Sequence, residues 1–351
     1  MKKLISIMSF LIVGIATAFY IGFGFNTTEK PKAVDDELRG LNKKYLLYFS
    51  HVVAENTPKG IAASMFAQKV REKTNGWVEV QVFPNGMLYN AQEEFEALKR
   101  NEVQIIAPAL SEITVHDPKW VVMDLPFAFD DVQMVKQAFE GNIGKLLFDS
   151  IENHGYKGIA FWDNSFKQFT NNVRPVKRPS DISGLSVRIM PSKVLAETYL
   201  LLGAKSHSYS FNEVYELLSE GQIDGTENTL SNIYSKGFYK KQKYMTISNH
   251  NYLGYAVLMN NHFWNTLPIE HQNSMMEAMN EVTEWLRVYA EEHNNEVLEK
   301  IEKSGVIEVY KLTDEERMEW KNALRPIYEQ YKHVIGKNLM DEIMLLQDRK
   351  L

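Results

Sequence analysis

The chain has 351 residues, 44% of them hydrophobic, a formal net charge of −6 and no cysteine. That length admits two or three domains, or one fold of two joined lobes, and the apolar share is enough for a sizeable core. The negative charge argues against a general nucleic-acid binder, which presents a basic face, and the lack of cysteine excludes disulfides, thiolate metal sites and lipid attachment through an N-terminal cysteine.

Lys2 and Lys3 precede an uncharged run from Leu4 to Phe25. The basic flank, the apolar stretch and Ala16-Thr17-Ala18, an A-x-A-like cleavage site, together read as an export signal. The run is also long enough, at about 20 residues, to cross a bilayer as a helix. Residues 1–25 are therefore expected to be a signal peptide or a retained N-terminal membrane anchor, and either places the remainder outside the cytoplasmic membrane. Residues 26–42 turn polar and charged and read as a tether.

Beyond the tether, short strands alternate with helices. Tyr45 to Phe49 is a compact apolar run of the kind a buried strand requires. Thr57-Pro58 then opens a helix, with Thr as N-cap and Pro at the first helical position. Val78, Val80 and Val82 alternate with polar residues at strand period, and Pro84-Asn85-Gly86 is a turn. Helices are predicted over Glu93–Arg100, Ile143–Asn153, Ser192–Leu202 and Phe211–Glu220, the last capped by Ser210. Strands are predicted over Val103–Ala107, Gly158–Trp162 and Ser186–Met190. This order predicts an α/β fold with largely parallel sheets. From His271 to Ser304 there is neither Pro nor Gly, and Met275, Met279, Val282, Leu286, Tyr289 and Leu298 sit near helical spacing, so one long helix, broken at most once, is expected. A helix over Asp314–Lys332, capped by Thr313 and kinked near Pro326, and another over Leu339–Gln347 close the chain.

Catalytic signatures are absent. There is no G-x-S-x-G elbow, no phosphate-binding G-x-x-x-x-G-K-[ST] loop and no G-x-G-x-x-G fingerprint. No two of the nine histidines stand three or four residues apart, so a helical metal site is not expected. An exported hydrolase or isomerase built from dispersed residues stays open as a reading, but no cofactor or metal is called for.

Three segments instead combine aromatics, amides and a cation at strand ends: Phe161 to Asn171, Gly184 to Met190, and Gly221 to Asn228. In open α/β sheets, ligands bind beyond such ends. Arg188 stands in an apolar strand, on the face opposite Val187 and Ile189. A guanidinium there needs a partner. An internal Asp or Glu is one candidate. A ligand carboxylate is the other, since the planar fork matches it with two parallel N–H bonds.

At these residues the sequence resembles the DctP-like solute-binding proteins of TRAP transporters. The resemblance runs from about Tyr45 to the last helices. It is carried by Ser50 to Gly60, Phe83-Pro84-Asn85-Gly86, Asp124-Leu125-Pro126-Phe127, Phe161-Trp162-Asp163-Asn164, Gly184 to Arg188, Val214-Tyr215, Asp224-Gly225, Glu227-Asn228, Ser231 to Tyr234 and Ser248-Asn249-His250. It implies a two-lobed periplasmic-binding-protein-like α/β fold with a long helix spanning both lobes. Lobe I is expected over residues 43–164 and 253–293, lobe II over residues 165–252 and 294–351. The resemblance also implies a strand-borne arginine, here Arg188, that fixes a ligand carboxylate, an asparagine contact at Asn228, and a second cation at Lys167, where the family commonly has Arg. The Ser50-His51 and Thr57 to Gly60 segment looks most like the C4-dicarboxylate binders. His51, Lys59 and Lys167 are then candidates for the far carboxylate. Trp162 and Phe127 are expected to wall the cleft, and Asn164, Met190 and His250 complete the expected ligand-binding set. The implied role is capture of a small organic acid and its delivery to TRAP membrane permease subunits. The alternative partner is a membrane sensor kinase that reads the bound state.

Overall fold

The strand and helix periods of the sequence resolve into two separate sheets in the computed structural model of the chain, which describes residues 43–348. The expected export segment and tether, residues 1–42, lie outside the described residues. Among the described residues no helix is long and apolar enough to cross a membrane.

In β1 (Tyr45–Ser50), Leu47 and Phe49 are fully buried. The strand is joined to β2 (Val78–Phe83) by α1 (Pro58–Lys73), and the two strands pair in parallel with Tyr45 opposite Val78. Thr57 caps α1, its hydroxyl accepting the Gly60 N–H at 3.2 Å, and Pro58 fills the first turn, where a missing N–H costs nothing. Next come α2 (Glu93–Lys99), the two-residue strand β3 (Ile105–Ile106), the single turn α3 (Leu110–Ile113), a 3₁₀ stretch over Pro118–Asp124, and the helices α4 (Val132–Glu140) and α5 (Asn142–Glu152). The buried run Val103–Ala107 pairs only at Ile105 and Ile106, so the expected five-residue strand is shorter than its apolar pattern.

From β4 (Tyr156–Phe166) the chain does not turn into a helix. It passes through Lys167 directly into β5 (Gln168–Asn171) of the second sheet. There follow β6 (Ser186–Ile189), α6 (Lys193–Leu201), β7 (Lys205–Ser208), α7 (Val214–Glu220), β8 (Gly225–Asn228), α8 (Leu230–Ser235) and β9 (Tyr244–Ile247). The helix expected from Phe211 begins as a 3₁₀ turn closed by a Ser210–Glu213 capping box and becomes α-helical only at Val214. The chain then recrosses into β10 (Tyr252–Asn260). The first sheet has the order β2-β1-β3-β10-β4, and β10 is antiparallel to both its neighbours. In the second sheet, with β5 between β9 and β8, β5 is antiparallel to both. The sheets are thus mixed rather than largely parallel. The physical reason is that β4–β5 and β9–β10 run between the sheets without helical crossovers, and only a helical crossover enforces a parallel partner.

After α9 (Asn261–Thr266), helix α10 (Ile269–Ser304) runs unbroken for 36 residues, about 54 Å at 1.5 Å per residue. It ends at Gly305, whose φ of 62° is the left-handed C-terminal conformation glycine supplies. No side chain caps its N-terminus. What holds it is one buried stripe: Met275, Ala278, Met279, Val282, Leu286 and Ala290 share a core with Phe66 and Val70 of α1 and Ile159 and Trp162 of β4, and Val297 and Ile301 one with Phe211, Val214 and Leu218 of the second sheet's side. Each fully buried large side chain contributes roughly 1.5–3 kcal/mol, against about 1 kcal/mol for a missing cap. Strand β11 (Glu308–Lys311) joins β9 in parallel. Then come α11 (Asp314–Leu324), with Thr313 and Glu316 in a capping box, α12 (Pro326–Ile335), divided from α11 at Arg325, and α13 (Lys337–Asp348). Ile327, Tyr331, Leu339 and Ile343 share a core with Trp120, Ile143, Leu147 and Ile151. While α11 stays on the second sheet's side, with Trp320 Nε1 donating to the Lys177 carbonyl at 2.9 Å, α12 and α13 pack on the first sheet's side, whereas the sequence reading assigns all of residues 294–351 to the second lobe. Their apolar stripes complete the cover over α5 and the 3₁₀ stretch.

Candidate functional site

A cleft lies where β6, β8 and α8 approach α1, α2, α3 and β10. It is lined by Lys59, Glu94, Glu112, Arg188, Met190, Asn228, Asn232 and Tyr255, with Val53 and Leu253 among its apolar surfaces. The polar lining is nearly sealed: Lys59 is 2%, Arg188 1% and Asn228 2% exposed. In so dry a place a charge without a partner is costly.

Arg188 sits mid-strand in β6, opposite His207 of β7 and Thr226 of β8. Its Nε and Nη2 both donate to the Tyr209 carbonyl, at 2.9 and 2.7 Å. The sequence left an internal acid or a ligand as the partner. The structure supplies a backbone carbonyl, and among the described residues no acid forms an ion pair with the guanidinium. The two bonds fix the guanidinium plane, and Nη1 takes no hydrogen bond among the described residues. Burial lowers the pKa of Arg188, with Glu112 and Glu227 pulling the other way, but a guanidinium keeps its charge. Asn228 closes β8. Its Oδ1 accepts from Thr229 N–H and Asn232 Nδ2, each at 2.9 Å, which turns its own amide nitrogen free of partners among the described residues.

Lys59 enters from α1. Its Nζ donates to the Ala107 carbonyl at 2.8 Å and stands 3.9 Å from the centre of the Tyr255 ring. Burial pushes its ammonium down to about 7, against the pull of Glu94 and Glu112. Tyr255 is held in turn by Asn164, whose Nδ2 donates to the phenol oxygen at 2.8 Å while its Oδ1 accepts from Ser231 Oγ at 2.8 Å. Asn164 therefore orients the ring under Lys59 and does not itself line the cleft.

Glu94 and Glu112 were not foreseen as site residues. Burial pushes the Glu94 carboxyl up to about 8, against Lys59, and that of Glu112 up to about 7, against Arg188. A signal existed in each case. Glu94 stands on the same helical face as Leu98, and Glu112 interrupts the apolar Leu110–Ile113 turn, so each puts a charge where the pattern calls for burial.

Other expected residues are not brought to the cleft lining, because each finds an internal partner or lies in the core. Lys167 is fully buried, and its Nζ donates to Glu227 Oε1 at 2.8 Å. His250 Nε2 lies 2.8 Å and Tyr199 Oη 3.2 Å from Glu227 Oε2, and Ser248 Oγ 2.7 Å from His250 Nδ1. Burial alone would raise the Glu227 carboxyl; Lys167 and His250 hold it instead at about 2. This cluster sits at the crossing between the sheets, where Lys167 N–H also donates to the Asn251 carbonyl at 2.7 Å. Trp162 is fully buried beside Phe49, with Nε1 donating to Thr283 Oγ1 at 3.1 Å. Phe127 is buried at a φ of 54°, its ring 5.5 Å from the Arg317 guanidinium. His51 is fully buried, and neither ring nitrogen has a partner among the described residues. Burial and then Lys59 push its imidazole down to about 3, which keeps it neutral. Of the ten expected residues, Arg188, Asn228, Lys59 and Met190 share the cleft.

This geometry can be set beside known proteins. The chain is 48% identical over 347 residues to the C4-dicarboxylate-binding protein DctB of Bacillus subtilis (strain 168), covering 99% of each chain. It is 40% identical over 299 residues to the C4-dicarboxylate-binding periplasmic protein DctP of Rhodobacter capsulatus, covering 84% of this chain and 89% of that one. A crystal structure of a TRAP periplasmic solute-binding protein from Sulfurospirillum deleyianum with bound succinate superposes with a TM-score of 0.84 at 38% identity, over 87% of this chain and 99% of the other. One from Pseudomonas aeruginosa with bound L-malate gives 0.80 at 34% identity, over 82% and 100%. The sequence profile of DctP, bacterial extracellular solute-binding protein family 7, matches residues 49–333. With the two mixed sheets, the crossing strands and the long helix already in place, the chain belongs to that family.

Proposed function

We propose that this protein captures a C4-dicarboxylate outside the cytoplasmic membrane and delivers it to a TRAP-type permease, binding it reversibly without making or breaking bonds. The observation that carries this reading is the placement of two cations on walls from opposite sheets of one sealed cleft. Arg188 stands in β6 of the second sheet, and Lys59 comes from the helix that joins β1 and β2 of the first. In this reading Arg188 Nη1 and the Asn228 amide hold one carboxylate, and Lys59 turns from the Ala107 carbonyl to the other. Residues 1–25 serve as export signal or anchor.

Relatives support the choice of ligand class. The Bacillus subtilis protein is named for C4-dicarboxylate binding, and the two solved neighbours hold succinate and L-malate. The energetics are adequate. Each charge-assisted bond contributes roughly 1.5–3 kcal/mol net, and moving an open–closed balance from 1:99 to 99:1 takes about 5.5 kcal/mol of differential binding. Donors from both sheets meeting one ligand supply that difference only in the closed form.

Titration calorimetry with succinate, fumarate and L-malate, beside acetate and butyrate, tests this. Binding of at least one four-carbon diacid, far tighter than of either monoacid, is expected. A preference for the monoacids would overturn the two-cation reading.

A further inference from the structure

The cleft proposed to bind an anion also holds two buried carboxyl groups, and they differ in how they are satisfied. Glu94 Oε1 accepts from Ser50 Oγ at 2.8 Å, and the neighbouring Asp124 accepts from Ser111 Oγ at 2.5 Å. Glu112 is 6% exposed, and its carboxyl takes no hydrogen bond among the described residues. The charged groups that face it come from every wall: Arg188 from β6, Asp124 from the end of the 3₁₀ stretch, Lys59 from α1, Lys167 from the crossing and Glu94 from α2.

Charge bookkeeping then constrains what enters. Of the charged groups that line the cleft, Lys59 and Arg188 balance Glu94 and Glu112 when all four are ionised, so a dianion would leave the nearly sealed lining with two uncompensated negative charges. Burying charge without compensation is among the largest penalties a protein meets. Protonating one carboxyl removes one of those charges and converts an acceptor that repels the ligand into an O–H donor. Hydrogen bonds from a carboxylic acid to a carboxylate are short and strong.

We infer that the cleft takes up a proton from solvent together with its dicarboxylate, and that Glu112 carries it and donates it in a hydrogen bond to the ligand. Release of the ligand returns the proton. This rests on the dicarboxylate reading above and adds a ligand-contacting residue to it. Burial already pushes Glu112 up to about 7, so near neutrality the proton is within easy reach, and an anion placed beside it raises the carboxyl further. The sign follows. Because the bound form holds the proton more tightly than the free form, affinity is greatest below about pH 7 and weakens as pH rises, by up to tenfold per unit.

Calorimetry of succinate binding to the full chain at pH 6 and pH 8, each in two buffers of different ionisation enthalpy, reads the proton directly. Net uptake approaching one proton per succinate is expected at pH 8, shrinking toward pH 6. Lys59 and Glu94 are the competing acceptors, since the ammonium is held at about 7 and the Glu94 carboxyl at about 8, so the same titration is run on Glu112→Gln. That variant should lose close to one proton of uptake and flatten the pH slope of Kd. Succinate binding by the wild type without proton exchange at pH 8 would overturn the inference while leaving the dicarboxylate reading standing. Undiminished uptake in Glu112→Gln would place the proton on Lys59 or Glu94 and overturn it equally. Absence of any four-carbon diacid binding at either pH would refute the functional reading and this inference together.

Discussion

Arg188 has its guanidinium plane fixed before any ligand arrives, because Nε and Nη2 are both committed to the Tyr209 carbonyl. A lysine at this position has no second nitrogen to anchor, and its ammonium is free to rotate. Arg188→Lys should therefore weaken succinate binding by about tenfold to a hundredfold, the worth of one charge-assisted bond of 1.5–3 kcal/mol, with an unchanged circular dichroism spectrum. Unchanged affinity by calorimetry would remove Arg188 from the site. Lys167 predicts the opposite division. Lys167→Met leaves the Glu227 carboxylate buried without its nearest cation, so the cost falls on folding, about 3–5 kcal/mol by urea denaturation. Glu227 also sets an acid limit. Its carboxyl is held at about 2 against an ordinary 4.5, so its contribution is present above about pH 4.5 and lost as pH falls toward 2. What the sequence told at this scale was uneven. Arg188 announced itself as a charge in an apolar strand. Lys167 carried the same signal, but its partner, Glu227, is 60 residues away, and no local pattern says whether a buried cation faces a ligand or an acid.

At the scale of elements, one residue of helix α10 hydrogen-bonds to the surroundings of both sheets. Asn294 Oδ1 accepts from Ser231 N–H at 2.9 Å, while its Nδ2 donates to the Ala290 carbonyl at 2.7 Å and to Asn164 O and Oδ1 at 3.3 Å. It thus ties α10 to α8 and to the end of β4 beside Tyr255. Asn294→Leu keeps the volume but strips these groups of a partner, and leaving buried polar groups unsatisfied costs about 1–3 kcal/mol. A lower thermal midpoint together with weaker ligand binding is expected. A loss of stability alone would mean that Asn294 does not help place Asn164 and Tyr255. The long helix was legible because a run without Pro or Gly and with one apolar stripe has few other fates. The crossing strands were not legible in local periodicity. Gln168–Asn171 and Gly225–Asn228 are buried yet largely polar, and they are strands because β5 and β8 supply each other's ladder, which only tertiary pairing reveals.

For the molecule as a whole, the α/β class followed from the order of periodic segments and the two-lobed plan from the family resemblance, while the mixed strand directions and the return of α12 and α13 to the first sheet's side depended on contacts far apart in sequence. The same architecture makes stability ligand-dependent. A ligand that binds only the folded protein adds about 2.7 kcal/mol at a hundred times its Kd, so succinate should raise the thermal midpoint by several degrees and acetate at equal concentration should not. The central claim is that one four-carbon diacid lies between Arg188 and Lys59. A crystal structure of the succinate complex tests it most directly. One carboxylate is expected on Arg188 Nη1 and the Asn228 amide, and the other on Lys59 Nζ, drawn away from the Ala107 carbonyl. Succinate seated instead on Lys167 or His250, with Lys59 still bonded to Ala107, would contradict it.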